Sequence, residues 1–237
     1  MKNRNIEAVV EGWTAPIRPN FMELEGQYVR LEKLSVRDHS AAIHLANSAD
    51  DKIWDYLPYG PFDDLGAYQD WVSNVQDKKD PVFFAIFDKE RGDWAGVASF
   101  LRISENLGSI EVGHINFSRS LQQTRAATEA ICLMMKWAFS VGYRRFEWKC
   151  NAANLRSCRA AQRFGFSYEG IFRQAAVMKG RNRDTAWFAM IDSEWPALEA
   201  AFTGWLSADN FDADGRQKLS LADLTAPILV KRDPRLT

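Results

Sequence analysis

Cysteine is scarce in this chain: three residues in 237 (Cys132, Cys150 and Cys158), with no C-x-x-C spacing among them. That excludes a disulfide framework and a zinc ribbon. So few thiols and no basic-then-apolar leader predict a reducing, cytoplasmic setting. Only three histidines occur, and His39 and His44 stand five apart instead of the four a zinc helix needs, so no metal is expected. No apolar run reaches the roughly 18 residues of a membrane-spanning helix. Charge of one sign is also missing, since 30 basic against 31 acidic residues leave a net charge of -1. No global field draws the chain to nucleic acid or an anionic membrane, and neither is an expected partner. G-x-S-x-G, P-loop and dinucleotide fingerprints are absent as well.

What is present is material for a core, 46% of residues being hydrophobic. Residues 27–34 alternate as a strand, and Ser35 then caps a helical run. The stretch "DKIWDYLPYGPFDD" breaks regular structure with Pro58, Gly60 and Pro61, after which Asp63 or Asp64 caps a second helix through Gln76. Three β-rich runs, "PVFFAIFD", "DWAGVASFLRI" and "SIEVGHINF", are separated by turn residues at 89–92 and 106–108, predicting an antiparallel meander. A helix is expected over 128–141, stopped by Gly142, then a strand with Phe146, Trp148 and Cys150 on one face, an amphipathic helix, a hairpin turning at 179–182, and a last helix after Trp195. The fold class is therefore α+β in layers: a mixed, mostly antiparallel sheet of six or seven strands with helices on both faces. One domain over 23–204 suffices, with an N-terminal arm (1–22) and an extension (205–237). The polar stretch "SADNFDADGRQKLS" is expected to be irregular. The apolar "LTAPILVKR" is suited either to dock on the domain or to pair with another chain, so a homodimer is possible.

Between strand and helix lies "SLQQTRAATEA". A helix start offers four unpartnered N–H groups and about half a positive charge, so this loop is a candidate anion site. Ala126, Ala127 and Thr128 admit a ligand close to the backbone, and Gln122 or Arg125 add side-chain donors.

Two motifs resemble the Gcn5-related N-acetyltransferases. In "QQTRAATEA" Gln122, Arg125 and Ala127 occupy the marked places of that family's R/Q-x-x-G-x-G/A pyrophosphate loop, with arginine where the middle glycine stands. In "FEWKCNAANLRSCRAAQRFGFSYEGIFRQ" the spacing of Cys, Asn, Ser and G-F-x-x-E-G is similar to the RimJ/RimL ribosomal-protein N-terminal acetyltransferases. The resemblance implies a splayed cofactor cleft, acetyl-CoA as cofactor, and a primary amine as acceptor, on a small molecule or a protein N-terminus, attacking directly in a ternary complex. It implies cofactor contacts from Ile115, Asn116 and Phe117 on the fourth family strand, from Gln122, Thr124, Arg125, Ala126, Ala127 and Thr128 in the loop, and from Asn154 and Ser157. Asn154 reads equally as a helix cap. Ser157 matches the hydroxyl that assists the departing thiolate.

The family tyrosine acid is replaced by Ala161, and the RimL-like glutamate by Ala176. Candidate bases are Glu111 and His114, which strand alternation puts on opposite faces, so that only one of them faces the cleft. Glu111 is the favoured one; His114 suits proton removal by intrinsic pKa. Trp54, Tyr56, Tyr59 and Phe62 are candidates to line the amine pocket. The hairpin tip "KGRNRD" borders the acceptor side in this fold and offers charge to steer an acidic substrate. The departures motivate an alternative, a non-catalytic acyl-CoA-binding regulatory module.

Overall fold

The computed structural model describes residues 9–236. Its frame is one eight-stranded open sheet in the order β1-β2-β3-β4-β5-β6-β8-β7. The strands are β1 (Glu23–Glu25), β2 (Val29–Lys33), β3 (Val82–Asp88), β4 (Asp93–Ser104), β5 (Ser109–Phe117), β6 (Arg145–Asn151), β7 (Ser167–Met178) and β8 (Arg181–Ile191). Every neighbouring pair is antiparallel except β5 and β6, which the crossover through a helix makes parallel. The strand beyond the six or seven expected is β1, three residues paired to the start of the domain.

Helices α1 (Val36–Asn47) and α2 (Leu65–Val75) cover one face. Ser35 and Asp64 cap them, accepting from the amides of Asp38 and Ala67. On the other face lie α3 (Arg125–Ser140), α4 (Leu155–Arg163), α5 (Trp195–Leu206) and the short α6 (Leu221–Thr225). Strand β3 shows why its sequence is apolar without alternation: Phe84 and Ile86 pack toward α3, while Phe83 and Ala85 pack toward α1 and α2. A strand covered on both sides has no polar face to show.

Helix α3 starts three residues before the expected position. Thr124 holds the cap, its hydroxyl accepting from Ala127 N at 3.0 Å, so threonine does here what no proline or glycine was available to do. From α3, Glu129 reaches the β1–β2 turn and accepts from the amides of Gln27, Tyr28 and Val29 at 2.8, 2.6 and 3.0 Å. Gly26 is needed beside it, because a Cβ there would lie 2.6 Å from the Glu129 carboxyl carbon.

The polar stretch expected to be irregular is ordered. Asn210 is buried, donates to the carbonyls of Trp205 and Leu219, and accepts from Leu219 N, while Phe211 and Gln217 form an antiparallel bridge. One asparagine thereby replaces a hydrophobic anchor with backbone-like bonds. The apolar segment after it docks on its own chain: Tyr168 N donates to Lys231 O, Val230 N to Ser167 Oγ, and Arg235 to Ala152 O at 2.6 Å.

Candidate active site

Strands β5 and β6 pair only from Ser109 to Val112 against Arg145 to Trp148. Beyond that point they separate, and β5 runs on to Phe117 bonded to β4 alone. One backbone edge of residues 113–117, Ile115, Asn116 and Phe117 included, therefore faces a gap, and an extended ligand with amide groups suits such an edge.

The loop into α3 sits at the open end of this gap. The amides of Gln123, Arg125 and Ala126 have no acceptor among the described residues. Arg125 does not occupy the space before them: its guanidinium pairs with Glu90 and lies over the rings of Tyr28 and Phe211 at 4.7 and 4.8 Å. Gln122 turns back to donate to Phe117 O, Thr128 bonds Thr124 O, and Ala126 and Ala127 present only methyl groups. Backbone amides at a helix start, with the neighbouring cation folded aside, form a fitting seat for a pyrophosphate.

Across the gap, Asn154 is the N-cap of α4, its Oδ1 accepting from Ser157 N at 3.1 Å. Its Nδ2 has no acceptor among the described residues, so the cap and the ligand contact do not compete. Ser157 Oγ accepts from the Trp148 indole at 3.0 Å, which fixes the oxygen, and its hydroxyl also bears on the Cys150 sulfur. Beneath them Cys150 and Cys158 lie 3.6 Å apart, both buried. The bond with Cys150 pulls Cys158 down to about 7 and pushes Cys150 up.

The opposite-face expectation for Glu111 and His114 fails, and the cause is a bulge. The β4–β5 register shifts between Val97 and Ser99, leaving His114 and Ile115 together opposite Ala98, with His114 at a φ of 51°. The extra residue reverses the alternation. Glu111 lies opposite Leu101, and His114 packs on Phe83, so both point to the α1/α2 face. Ile115 goes to the other face.

Their surroundings differ. Glu111 is 2% exposed, with Oε1 taking a bond from Arg102 at 2.6 Å and Oε2 3.0 Å from Lys149. Burial raises its proton affinity, and the two cations oppose that rise. His114 Nδ1 lies 3.2 Å from the Tyr59 hydroxyl, with the two rings stacked at 5.6 Å. Burial first, then the positive charges of Arg102, Arg183 and Lys78, push the imidazole down to about 4, against the pull of Asp80. An unfolded chain protonates its histidine near 6.5. Between these values the unfolded chain binds more protons, so this residue costs the fold stability as pH falls from 6.5 toward 4, by about 2 kcal/mol after allowance for partial exposure. Urea midpoints at pH 7 and pH 4.5 test it: His114→Gln is expected to lose less stability than wild type, and equal losses contradict the assignment.

Trp54, Tyr59 and Phe62 form one aromatic wall with Tyr68 and Trp71. Tyr56 stands apart from it, 41% exposed. The β7–β8 hairpin closes over this wall, Lys179 Nζ donating to the carbonyls of Trp54, Tyr59 and Gly60 at 3.0, 3.3 and 2.7 Å. Arg102 and Lys149 were not singled out from sequence. Arg102 owes its place to a left-handed φ of 47° within β4, stabilised by Asp80 accepting from its amide, a conformation with no sequence mark.

The comparisons with known proteins give the family of the chain that carries this gap. The model of the "Acetyltransferase (GNAT) domain" matches residues 29–167. A GCN5-related N-acetyltransferase from Brucella melitensis is 42% identical, with a TM-score of 0.90 over 92% of this chain and 100% of that one. A GNAT-family protein from Chromobacterium violaceum is 39% identical over 82% of this chain and 98% of that one, with a TM-score of 0.77. An N-acetyltransferase of Bacillus licheniformis named p20 is 25% identical over 62% of this chain and 84% of its own length. With more than half its length matched by the domain model, this chain belongs to the GNAT acetyltransferases, the family that takes its acetyl group from acetyl-CoA.

Proposed function

We propose that the protein is an N-acetyltransferase of the RimJ/RimL-like kind, acting on a primary amine, at a protein N-terminus or on a small molecule, by direct attack in a ternary complex. The observation that carries this reading is the His114–Tyr59 pair at the bulge, on the α1/α2 face, which this reading makes the acceptor face, and beside the unpaired edge of β5. Bound acetyl-CoA supplies the activated acyl group. The protein's part is to align, polarise and move protons. The β5 edge offers amide N–H groups to a carbonyl oxygen as it gains charge. His114, neutral at pH 7, receives the proton the amine sheds as the C–N bond forms, and Ser157, steadied by Trp148, donates a hydrogen bond to the sulfur, which leaves as a thiolate as the C–S bond breaks and takes its proton from water. Glu111 is less suited to be the base than its sequence position suggested, because two cations hold its carboxylate. A base with a pKa near 4 is weak, and this favours acceptors that arrive already neutral. An α-amine near 7.7 to 8.0 does so far more often than a lysine near 10.4.

Isothermal titration with acetyl-CoA, followed by thiol release over a panel of amines and short peptides, tests the reading. Asn154→Asp keeps the helix cap but lacks the amide donor, and is expected to weaken acetyl-CoA binding by about tenfold. Binding without thiol release on any amine is the outcome expected of a non-catalytic acyl-CoA-binding module. The structure gives that reading no specific support, since Arg125 stands clear of the loop amides.

A further inference from the structure

Three cations of the sheet on the α1/α2 face are matched with carboxylates, and Lys179 is taken up by backbone carbonyls. Arg102 donates to Glu111, Lys149 is shared by Glu111 and Glu147, and Arg145 is held by Glu147 and Glu169. Arg183 has no carboxylate partner among the described residues. Its Nε is buried without an acceptor, and Nη1 reaches only the Met178 sulfur at 3.6 Å. Arg163, on the other face, is also half-buried without a carboxylate, but it lies over the Trp205 ring at 5.0 Å and donates to Thr128. Arg183 has no ring beneath it among the described residues. Four residues along the same face of β8, Trp187 also leaves its indole Nε1 buried without an acceptor.

The place of Arg183 narrows what it awaits. The hairpin that carries it is pinned over the aromatic wall by Lys179, and its strand β7 turns out of regular pairing at Gln174, whose amide donates to Asp184 at 2.7 Å. Arg183 is near enough to His114 to lower that imidazole's proton affinity, and to Glu111 and Arg102 to interact with their charges. The loop amides fit for pyrophosphate lie at the start of α3, on the far face of the sheet. An anion that reaches Arg183 therefore enters with the amine. A half-buried guanidinium with unused donors is suited to a planar carboxylate held beside the reacting nitrogen.

We propose that Arg183 is a specificity determinant that receives a carboxylate borne by the acceptor, so that the favoured amines are amino-acid-like or acidic next to the reacting nitrogen. This rests on the acetyltransferase reading above. The test uses two matched pairs, alanine against alaninamide, and Asp-Ala-Ala against Asn-Ala-Ala. Thiol release is measured on the full chain as wild type, Arg183→Met and Arg183→Lys. The carboxylate preference, as a ratio of kcat/KM within a pair, is compared between proteins, which cancels the amines' own reactivity. Wild type is expected to show that preference in at least one pair, reduced about 10- to 100-fold in Arg183→Met and partly kept in Arg183→Lys, with acetyl-CoA affinity unchanged. The responding pair tells a free amino acid from an acidic peptide N-terminus. A second readout is calorimetric binding of the N-acetylated forms of the same four compounds to the protein with CoA. Should wild type transfer to no amine while these products still bind with an Arg183-dependent preference, acetyl transfer fails and the carboxylate site stands. No carboxylate preference by either readout, or one that Arg183→Met leaves intact, overturns the proposal.

Discussion

Glu129→Ala is expected to lower the melting temperature by about 10 °C, a loss of roughly 3–5 kcal/mol. Three amides of the β1–β2 turn end on this one buried carboxylate. Alanine leaves them facing a void that water does not fill well, and each unsatisfied buried donor costs about 1–3 kcal/mol. The loss also falls on a joint, since α3 and the first hairpin meet through these bonds. Glu129→Gln is the informative second variant: it keeps the shape but turns two acceptors into one acceptor and a donor, and is expected to recover less than half the loss. Differential scanning calorimetry measures both. A shift under 3 °C for the alanine variant contradicts the assigned role.

His114→Phe is expected to lower kcat by about 10²- to 10⁴-fold, the range for removal of a general base, with acetyl-CoA affinity held within twofold. Phenylalanine preserves the stacking on Tyr59 and Phe83, so the wall keeps its shape while the proton acceptor disappears. Steady-state thiol release with a responding amine gives kcat, and titration gives the affinity. In wild type the imidazole's own limb lies near pH 4, so any rise in rate between pH 6 and 8 belongs to deprotonation of the amine. A variant with wild-type kcat sinks the assignment and returns attention to Glu111 or to water.

Much of the scaffold was legible because it depends on local pattern. Ser35 and Asp64 announce their helices by their own side chains, the turns at 89–92 and 106–108 do the same for the meander, and the one-sided burial of Phe146, Trp148 and Cys150 follows from period two. The strand-to-helix loop before α3 and the cap of α4 at Asn154 were visible through spacing. The α1/α2 face was much less so. Residues Arg102, His114 and Gln174 each adopt a left-handed backbone without being glycine, and each breaks the alternation that a sequence reader relies on. Such conformations are held by distant partners, Asp80 for Arg102 and Asp184 for Gln174, and nothing adjacent in sequence marks them. Glu129 was hidden for the same reason, its partners lying about a hundred residues away.

The bulge on β5 also divides the strand into two halves of opposite phase. Before it, odd-numbered Glu111 and Gly113 face α1; after it, even-numbered Asn116 does, donated to by Asn47 at 2.8 Å. The same residues paired as a regular pleat, with none doubled opposite Ala98, would carry Asn116 to the α3 side and bring Ile115 among the polar groups of the α1/α2 face; the one extra residue is what avoids this. The chemistry of this wall is thus stored in a count of residues as well as in their identity: the codon for one extra residue in β5 is what lets His114 share a face with both Glu111 and Asn116.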